Sequence, residues 1–180
     1  GWIRNCHGTL SDRMEAPVEK TPNGKTYLVS GGTGFLGSAV VRHLLDRGAR
    51  VHVTWKQREE IDRIDFARDV NLHEIDLADE DAVRNLYLDI GDLYGSIHVA
   101  GGFDMAPLGE ISLEDFTGMF RLNVTTCFLC CREAVSAMRR AGGGGRIVNV
   151  IARPALEPVG GMLAYTTSKA AVASLTQCLA

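Results

Sequence analysis

Long apolar runs are missing from this 180-residue chain. No stretch approaches the ~18 consecutive apolar residues of a membrane-spanning helix, and Gly1-Trp2-Ile3-Arg4-Asn5-Cys6-His7 lacks the apolar segment of a signal peptide. No membrane partner and a cytoplasmic location are the expectations. A basic excess is missing too: 19 Lys and Arg stand against 22 Asp and Glu, for a net charge of −3, so no basic face is offered to nucleic acid. Cysteines are few and odd in number, five, and Cys127, Cys130, Cys131 and Cys178 fall in segments that read as helices. That excludes a disulfide framework and points to reduced, buried thiols. Cys127, Cys130 and Cys131 stand at helical spacing that could in principle bind a metal, but no His or further Cys pair supplies the remaining ligands, so core or interface packing is expected and no metal. His43, His52, His73 and His98 all read most simply as structural, His98 also standing at a strand end where a ligand could meet it.

What is present is an ordinary globular composition, 46% hydrophobic and 23% charged. The length suits one domain. Short apolar runs alternate with longer amphipathic stretches, which is the pattern of a parallel sheet covered on both faces. Residues 1–24, with Pro17, Pro22, Asn23 and Gly24, stand outside that pattern and read as an N-terminal arm or tag remnant, with Met14 as a natural start. Residues 25–180 then form the domain. Strands are expected at Thr26–Ser30, Val51–Trp55, Asn71–Ile75, Gly95–Ala100 and Arg146–Ile151. Helices are expected at Ser38–Arg47 with Gly48 as its stop, Glu59–Arg68, Asp79–Leu88 with Asp79 as N-cap, one opened by Ser112, Asn123–Arg140, and one from Leu163 to the last residue. That last helix meets no stop signal, so the domain reads as incomplete at its C-terminus.

Ser30-Gly31-Gly32-Thr33-Gly34-Phe35-Leu36-Gly37 lies between the first strand and the first helix. Glycines there permit a tight turn and let backbone N–H groups reach a pyrophosphate at the positive helix end. At the end of the second strand an acid would bind the adenosine ribose and a base would pair with a 2′-phosphate. Trp55 is followed by Lys56, Gln57 and Arg58 with no acid, which favours NADP over NAD. Tyr165 and Lys169 are four residues apart on a helix, so they share a face, and an adjacent ammonium favours phenolate over phenol. Tyr165 is thereby a candidate proton donor and acceptor.

Taken with the glycine loop and strand order, Tyr165-Thr166-Thr167-Ser168-Lys169 resembles the signature of the short-chain dehydrogenase/reductase family, over residues 26–180. Ser30 through Gly37 is similar to the family's cofactor loop, Asp76-Leu77 to its adenine-contacting pair, and His98-Val99-Ala100-Gly101 to the segment usually written Asn-Asn-Ala-Gly. Asn123 in Leu122-Asn123-Val124 matches the asparagine that holds a catalytic water. The resemblance implies a doubly wound, Rossmann-like α/β fold and hydride transfer between NADP(H), or less favourably NAD(H), and a carbonyl or alcohol substrate. Tyr165 would be the general acid/base, Lys169 would hold the ribose and tune the tyrosine, and Asn123 would complete a proton relay. Ser30, Gly31, Thr33, Gly34, Phe35, Leu36, Gly37, Trp55, Lys56, Asp76, Leu77, Ala100, Gly101, Gly102, Tyr165 and Lys169 would contact cofactor. A homodimer or homotetramer, formed through the helix at 123–140 and the Tyr165 helix, is also implied. Substrate selection is expected mainly from chain beyond the tyrosine helix.

Two departures stand out. Phe35 occupies a place where the single-domain branch often has Gly. The family also places a serine thirteen positions before the tyrosine, and here that place holds Ala152, with Ile151 and Arg153 beside it. Losing one such donor typically costs ~2.7–4 kcal/mol of transition-state stabilisation. A catalytically weakened dinucleotide-binding protein is therefore one alternative. Another is a dihydropteridine-type reductase, a relative that does without this serine and whose pattern Val99-Ala100-Gly101-Gly102 and Gly161-Met162-Leu163-Ala164-Tyr165 are similar to.

Overall fold

The computed structural model describes residues 23–180, so the N-terminal arm expected over 1–24 lies almost entirely outside the described residues. Five strands form one parallel sheet: β1 (Thr26–Ser30), β2 (Arg50–Trp55), β3 (Asn71–Glu74), β4 (Leu93–His98) and β5 (Arg146–Asn149). Their spatial order is β3-β2-β1-β4-β5. The chain leaves β1 for β2 on one side, then returns across the sheet to β4 on the other. The connections diverge between β1 and β4, and at such a switch point the carboxyl ends of the strands border a crevice.

Side-chain alternation on β1 builds a core on each face, as period-2 geometry requires. Val29 packs with Val51 and Val53 of β2, Val41 and Leu44 of helix α1 (Phe35–Leu45), and Phe66. Leu28 points the other way, into Val83, Leu86 and Tyr87 of α2 (Glu80–Ile90) and Leu129, Cys130 and Ala134 of α4 (Thr126–Arg140). A third cluster joins Cys127, Cys131 and Val172, the last on α5 (Leu163–Leu179). No helix among the described residues is long and apolar enough to cross a membrane.

The expected helix at Glu59–Arg68 is only a 3-10 turn, Arg58–Arg63, with no buried residue. Its charged side chains offer no apolar stripe to hold a longer helix on the sheet. The expected helix starting near Asn123 is the second half of a longer rod: α3 (Leu113–Phe120) runs through a π-helical turn, Arg121–Thr125, directly into α4. Asn123 sits in that turn and is 1% exposed. Single π turns inside α-helices are frequent at functional sites because they redirect a side chain.

Candidate active site

The crevice at the switch point is a cleft of about 540 Å³. Its floor is the loop from β1 to α1. Gly31 has φ +66°, where a side chain would be strained, and a Cβ on it would come within 2.8 Å of the Ala100 backbone. Gly37 has no room either, since a Cβ there would collide with the Gly31 carbonyl oxygen. Helix α1 starts at Gly34 with no side-chain cap and no acid in its first turn. By contrast Asp79 caps α2 and Ser112 with Asp115 caps α3. The free N–H groups and positive end of α1 are thus left open to an anion in the cleft.

Of the residues expected to contact cofactor, Gly31, Thr33, Gly34, Phe35, Leu36, Gly37, Trp55, Lys56, Asp76, Leu77, Ala100 and Gly101 line this cleft. Ser30 does not; it is 1% exposed and holds the β4 exit, its carbonyl accepting from the Val99 and Ala100 N–H groups at 3.1 and 3.0 Å. Gly102, Tyr165 and Lys169 also lie outside the lining. The sequence reading missed Thr54, Glu60 and Arg63. Thr54 Oγ1 accepts from the Gly31 N–H at 3.2 Å, and the Thr33 hydroxyl donates to a Glu60 carboxylate oxygen. The charge run after β2 was the signal for Glu60 and Arg63, although it reads equally as a solvated surface.

Lys56 Nζ lies 3.1 Å from Asp76 Oδ2, and Arg121 3.6 Å from the same oxygen. The Asp76 carboxyl is held below its ordinary range, chiefly by the Ala78 N–H and then by Lys56. The Lys56 side chain remains 67% exposed, so the pair leaves its ammonium reachable from the cleft.

Gly101 joins the cleft to the Tyr165 helix. A Cβ on Gly101 would lie 2.6 Å from Asn123 Oδ1 and 3.1 Å from Lys169 Nζ, so both side chains converge on the cleft wall. Asn123 accepts from the Gly102 N–H at 2.9 Å and donates to the Gly102 carbonyl at 3.1 Å and to Ser168 Oγ at 2.9 Å. Ser168 in turn donates to the Tyr165 carbonyl at 2.7 Å. Lys169 Nζ donates to the Val150 carbonyl at 3.0 Å, and burial pulls its pKa below the ordinary lysine value, opposed by Cys127. Tyr165 is half-buried, one turn before Lys169, its ring edge-to-face with Phe103 at 4.9 Å. Ala152 caps the 3-10 turn Arg153–Ala155 and brings no hydroxyl.

His98 is a packed structural residue, the simpler of its two readings, and does not line the cleft. It is 4% exposed and turned away from the cleft, Nε2 2.8 Å from Ser96 Oγ and Nδ1 2.7 Å from Asn149 Oδ1. It also reaches the cysteines: Nδ1 lies 3.5 Å from Cys131 Sγ, supplying the histidine that linear spacing did not reveal. The cysteine partners are Cys127 and Cys131, at i, i+4 and 4.0 Å apart, rather than the i, i+3 pair.

A doubly wound sheet with a glycine-floored cleft at its switch point defines a Rossmann-like dinucleotide fold. The family model described as short chain dehydrogenase matches residues 25–180, and the chain belongs to that family. A 3beta-hydroxysteroid dehydrogenase of Mediterraneibacter gnavus is 31% identical, over 87% of this chain and 59% of that protein. A sorbitol dehydrogenase of Cereibacter sphaeroides is 28% identical, over 86% and 63%. Among solved structures, NAD+-bound xylitol dehydrogenase superposes with a TM-score of 0.82 at 27% identity, covering 89% of this chain and 65% of that one. A Burkholderia cenocepacia short chain dehydrogenase in complex with NADP gives 0.78 at 25%, covering 88% and 66%. The chain spans about three fifths of the length of the curated relatives it matches.

Proposed function

We propose that the protein is an NADP(H)-dependent oxidoreductase acting between an alcohol and its carbonyl. The observation that carries this reading is the convergence at Gly101, where the wall of the cleft touches both Asn123 and Lys169. The cleft suits a dinucleotide. Its floor has no space for side chains at Gly31 and Gly37, and the α1 N–H groups lack an internal acceptor. Gly31, Gly34, Phe35, Leu36 and Gly37 would hold the pyrophosphate, and Leu77 and Ala100 the flanking groups. Lys56 would pair with a 2′-phosphate at the end of β2. When bound, the nicotinamide would supply or receive a hydride.

The residues of this chain would handle the proton. Tyr165 gives one to the carbonyl oxygen in reduction and takes one from the alcohol in oxidation. Lys169 would hold the ribose. Asn123 and Ser168 fix the first turns of α5 so that the two side chains keep their places, and Asn123 extends the relay. The names of the similar steroid, sorbitol and xylitol dehydrogenases support an alcohol carbon as the reacting centre. Half-exposed Phe128, at 48%, supports a homo-oligomer formed on the α3–α4 rod.

Tyr165→Phe tests the assignment. NADPH oxidation over a panel of carbonyls should fall about 10²–10⁴-fold, while the nucleotide dissociation constant stays within a few-fold. An unchanged rate removes Tyr165 from the chemistry. One observation favours a second reading: with Ala152 in the serine's place, a quinonoid dihydropterin, which needs less oxyanion support, suits the site better than a simple ketone. Turnover of that compound and not of ketones would select it.

A further inference from the structure

On the sheet face opposite the glycine loop, β4, β5 and α4 bring together three buried groups that the dehydrogenase chemistry does not use. His98, Cys127 and Cys131 are 4%, 5% and 2% exposed, and their ligand atoms all lie within 4.8 Å of one another. We infer that His98 Nδ1, Cys127 Sγ and Cys131 Sγ form a binding site for one thiophilic divalent ion of the zinc class.

Two of the three ligand spacings match those of a tetrahedral ion, and the third, Cys127 Sγ to the His98 ring nitrogen, is within 4.8 Å. With metal–sulfur bonds of ~2.3 Å and metal–nitrogen bonds of ~2.0–2.1 Å, the edges of a tetrahedron are ~3.8 Å between sulfurs and ~3.6 Å from sulfur to nitrogen. The corresponding distances here are 4.0 Å for Cys127 to Cys131 and 3.5 Å for Cys131 to His98. Asn149 Oδ1 lies 3.4 Å from Cys131 Sγ and accepts a hydrogen bond from His98 Nδ1 at 2.7 Å, closer than the ~3.3 Å edge between two ligands of one ion, so it would draw back from His98 to serve as a fourth, oxygen donor.

Charge and proton placement agree with this. A divalent ion with two thiolates is electrically neutral, the form a buried site tolerates best. Binding releases the two thiol protons to solvent. His98 must free Nδ1 and carry its proton on Nε2. Ser96 Oγ, 2.8 Å from Nε2, can accept it, because Ser96 and Tyr87 are paired hydroxyls at 2.7 Å and can both rotate. Such an outer partner fixes the imidazole ring of a metal ligand. The ion would tie β4 to α4 under the Val172 contact of α5.

The test uses the protein with Cys6→Ser and Cys178→Ser, kept reduced with a phosphine, so that no arm or exposed thiol contributes. Titration with Co2+ should give a thiolate-to-cobalt charge-transfer band and tetrahedral ligand-field bands that saturate at one ion per chain. Cys131→Ser and His98→Gln should abolish or strongly weaken them. X-ray absorption at the zinc edge, on the Zn2+-loaded protein without ligand substitutions, should show two sulfur scatterers and imidazole. A missing charge-transfer band, a band that survives Cys131→Ser, or a zinc shell with other than two sulfurs overturns the assignment.

Discussion

At the scale of single residues the site divides into positions that spacing announces and positions that only folding creates. Tyr165 and Lys169 share a helix face by their four-residue separation, and Gly31 and Gly37 are dictated by backbone crowding, so both were legible in the sequence. Glu60 was not, because its partner Thr33 is 27 residues away. His98, Asn149 and Cys131 likewise come from three different elements and meet only once β4, β5 and α4 pack. Ala152 gives a direct prediction. On the proposed chemistry, Ala152→Ser would restore a hydroxyl donor where oxyanion character develops, and the rate on simple ketones should rise up to about a hundredfold. Nucleotide affinity should not change. Steady-state NADPH oxidation checks the first statement and calorimetric titration the second; a flat rate would mean that the substrate never used the hydroxyl. Lys56 gives another. Its ammonium pairs with the exposed Asp76 carboxylate, so Lys56→Ala should weaken NADPH binding about tenfold or more, the value of one charge-assisted hydrogen bond at ~1.5–3 kcal/mol, and leave NADH nearly untouched. Equal losses for both nucleotides would exclude Lys56 as the 2′-phosphate partner.

At the scale of elements, caps and periodicity decided most boundaries. Asp79 accepts from the N–H groups of Asp81 and Ala82, both at 3.0 Å, and so starts α2 where its position before a charged turn predicts. Asp79→Ala should cost about 1 kcal/mol, seen as a fall of ~2–4 °C in Tm, with cofactor binding preserved because α2 lies outside the cleft. A shift below one degree would show that the cap is replaceable by water. The same reasoning explains where elements were misread. The segment after β2 has helical spacing of charges, but its first turn, Arg58–Arg63, buries nothing and it reaches the core only at Phe66, so it stays a 3-10 turn. The α3–α4 rod was read as two helices because its continuity depends on a π turn, which has no local sequence signature. That turn swings Asn123 inward to meet Gly102 and Ser168. A local irregularity thus positions a residue that regular helix would leave one step around the barrel of the rod.

At the scale of the whole molecule the sheet sets both function and stability, and its far edge reveals a pH limit. His52 of β2 and His73 of β3 stack with ring centroids 5.1 Å apart and share a hydrogen bond of 2.9 Å between ring nitrogens. One ring must accept, so the pair is favoured when at least one imidazole is neutral. Burial, then His73 and Arg50, lowers His52 to about 4 from its ordinary 6.5, and burial also lowers His73 despite Asp89. A histidine whose pKa is lower in the folded chain binds protons more readily when unfolded, so the fold loses stability as pH falls. The contribution is fully present above pH 6.5 and drains away as pH drops from 6.5 toward 4. For half-buried rings, solvent screening reduces the loss to about 1–2 kcal/mol. Asp65, Asp76 and Asp115 have lowered pKa values and shed their stabilisation only below 3.8, so the two effects separate on the pH axis. Urea unfolding at pH 7.5, 6.0 and 5.0 should show a falling midpoint, and His73→Gln, which removes the second imidazole and its proton site, should flatten that slope. A slope unchanged by His73→Gln would place the acid sensitivity elsewhere in the chain.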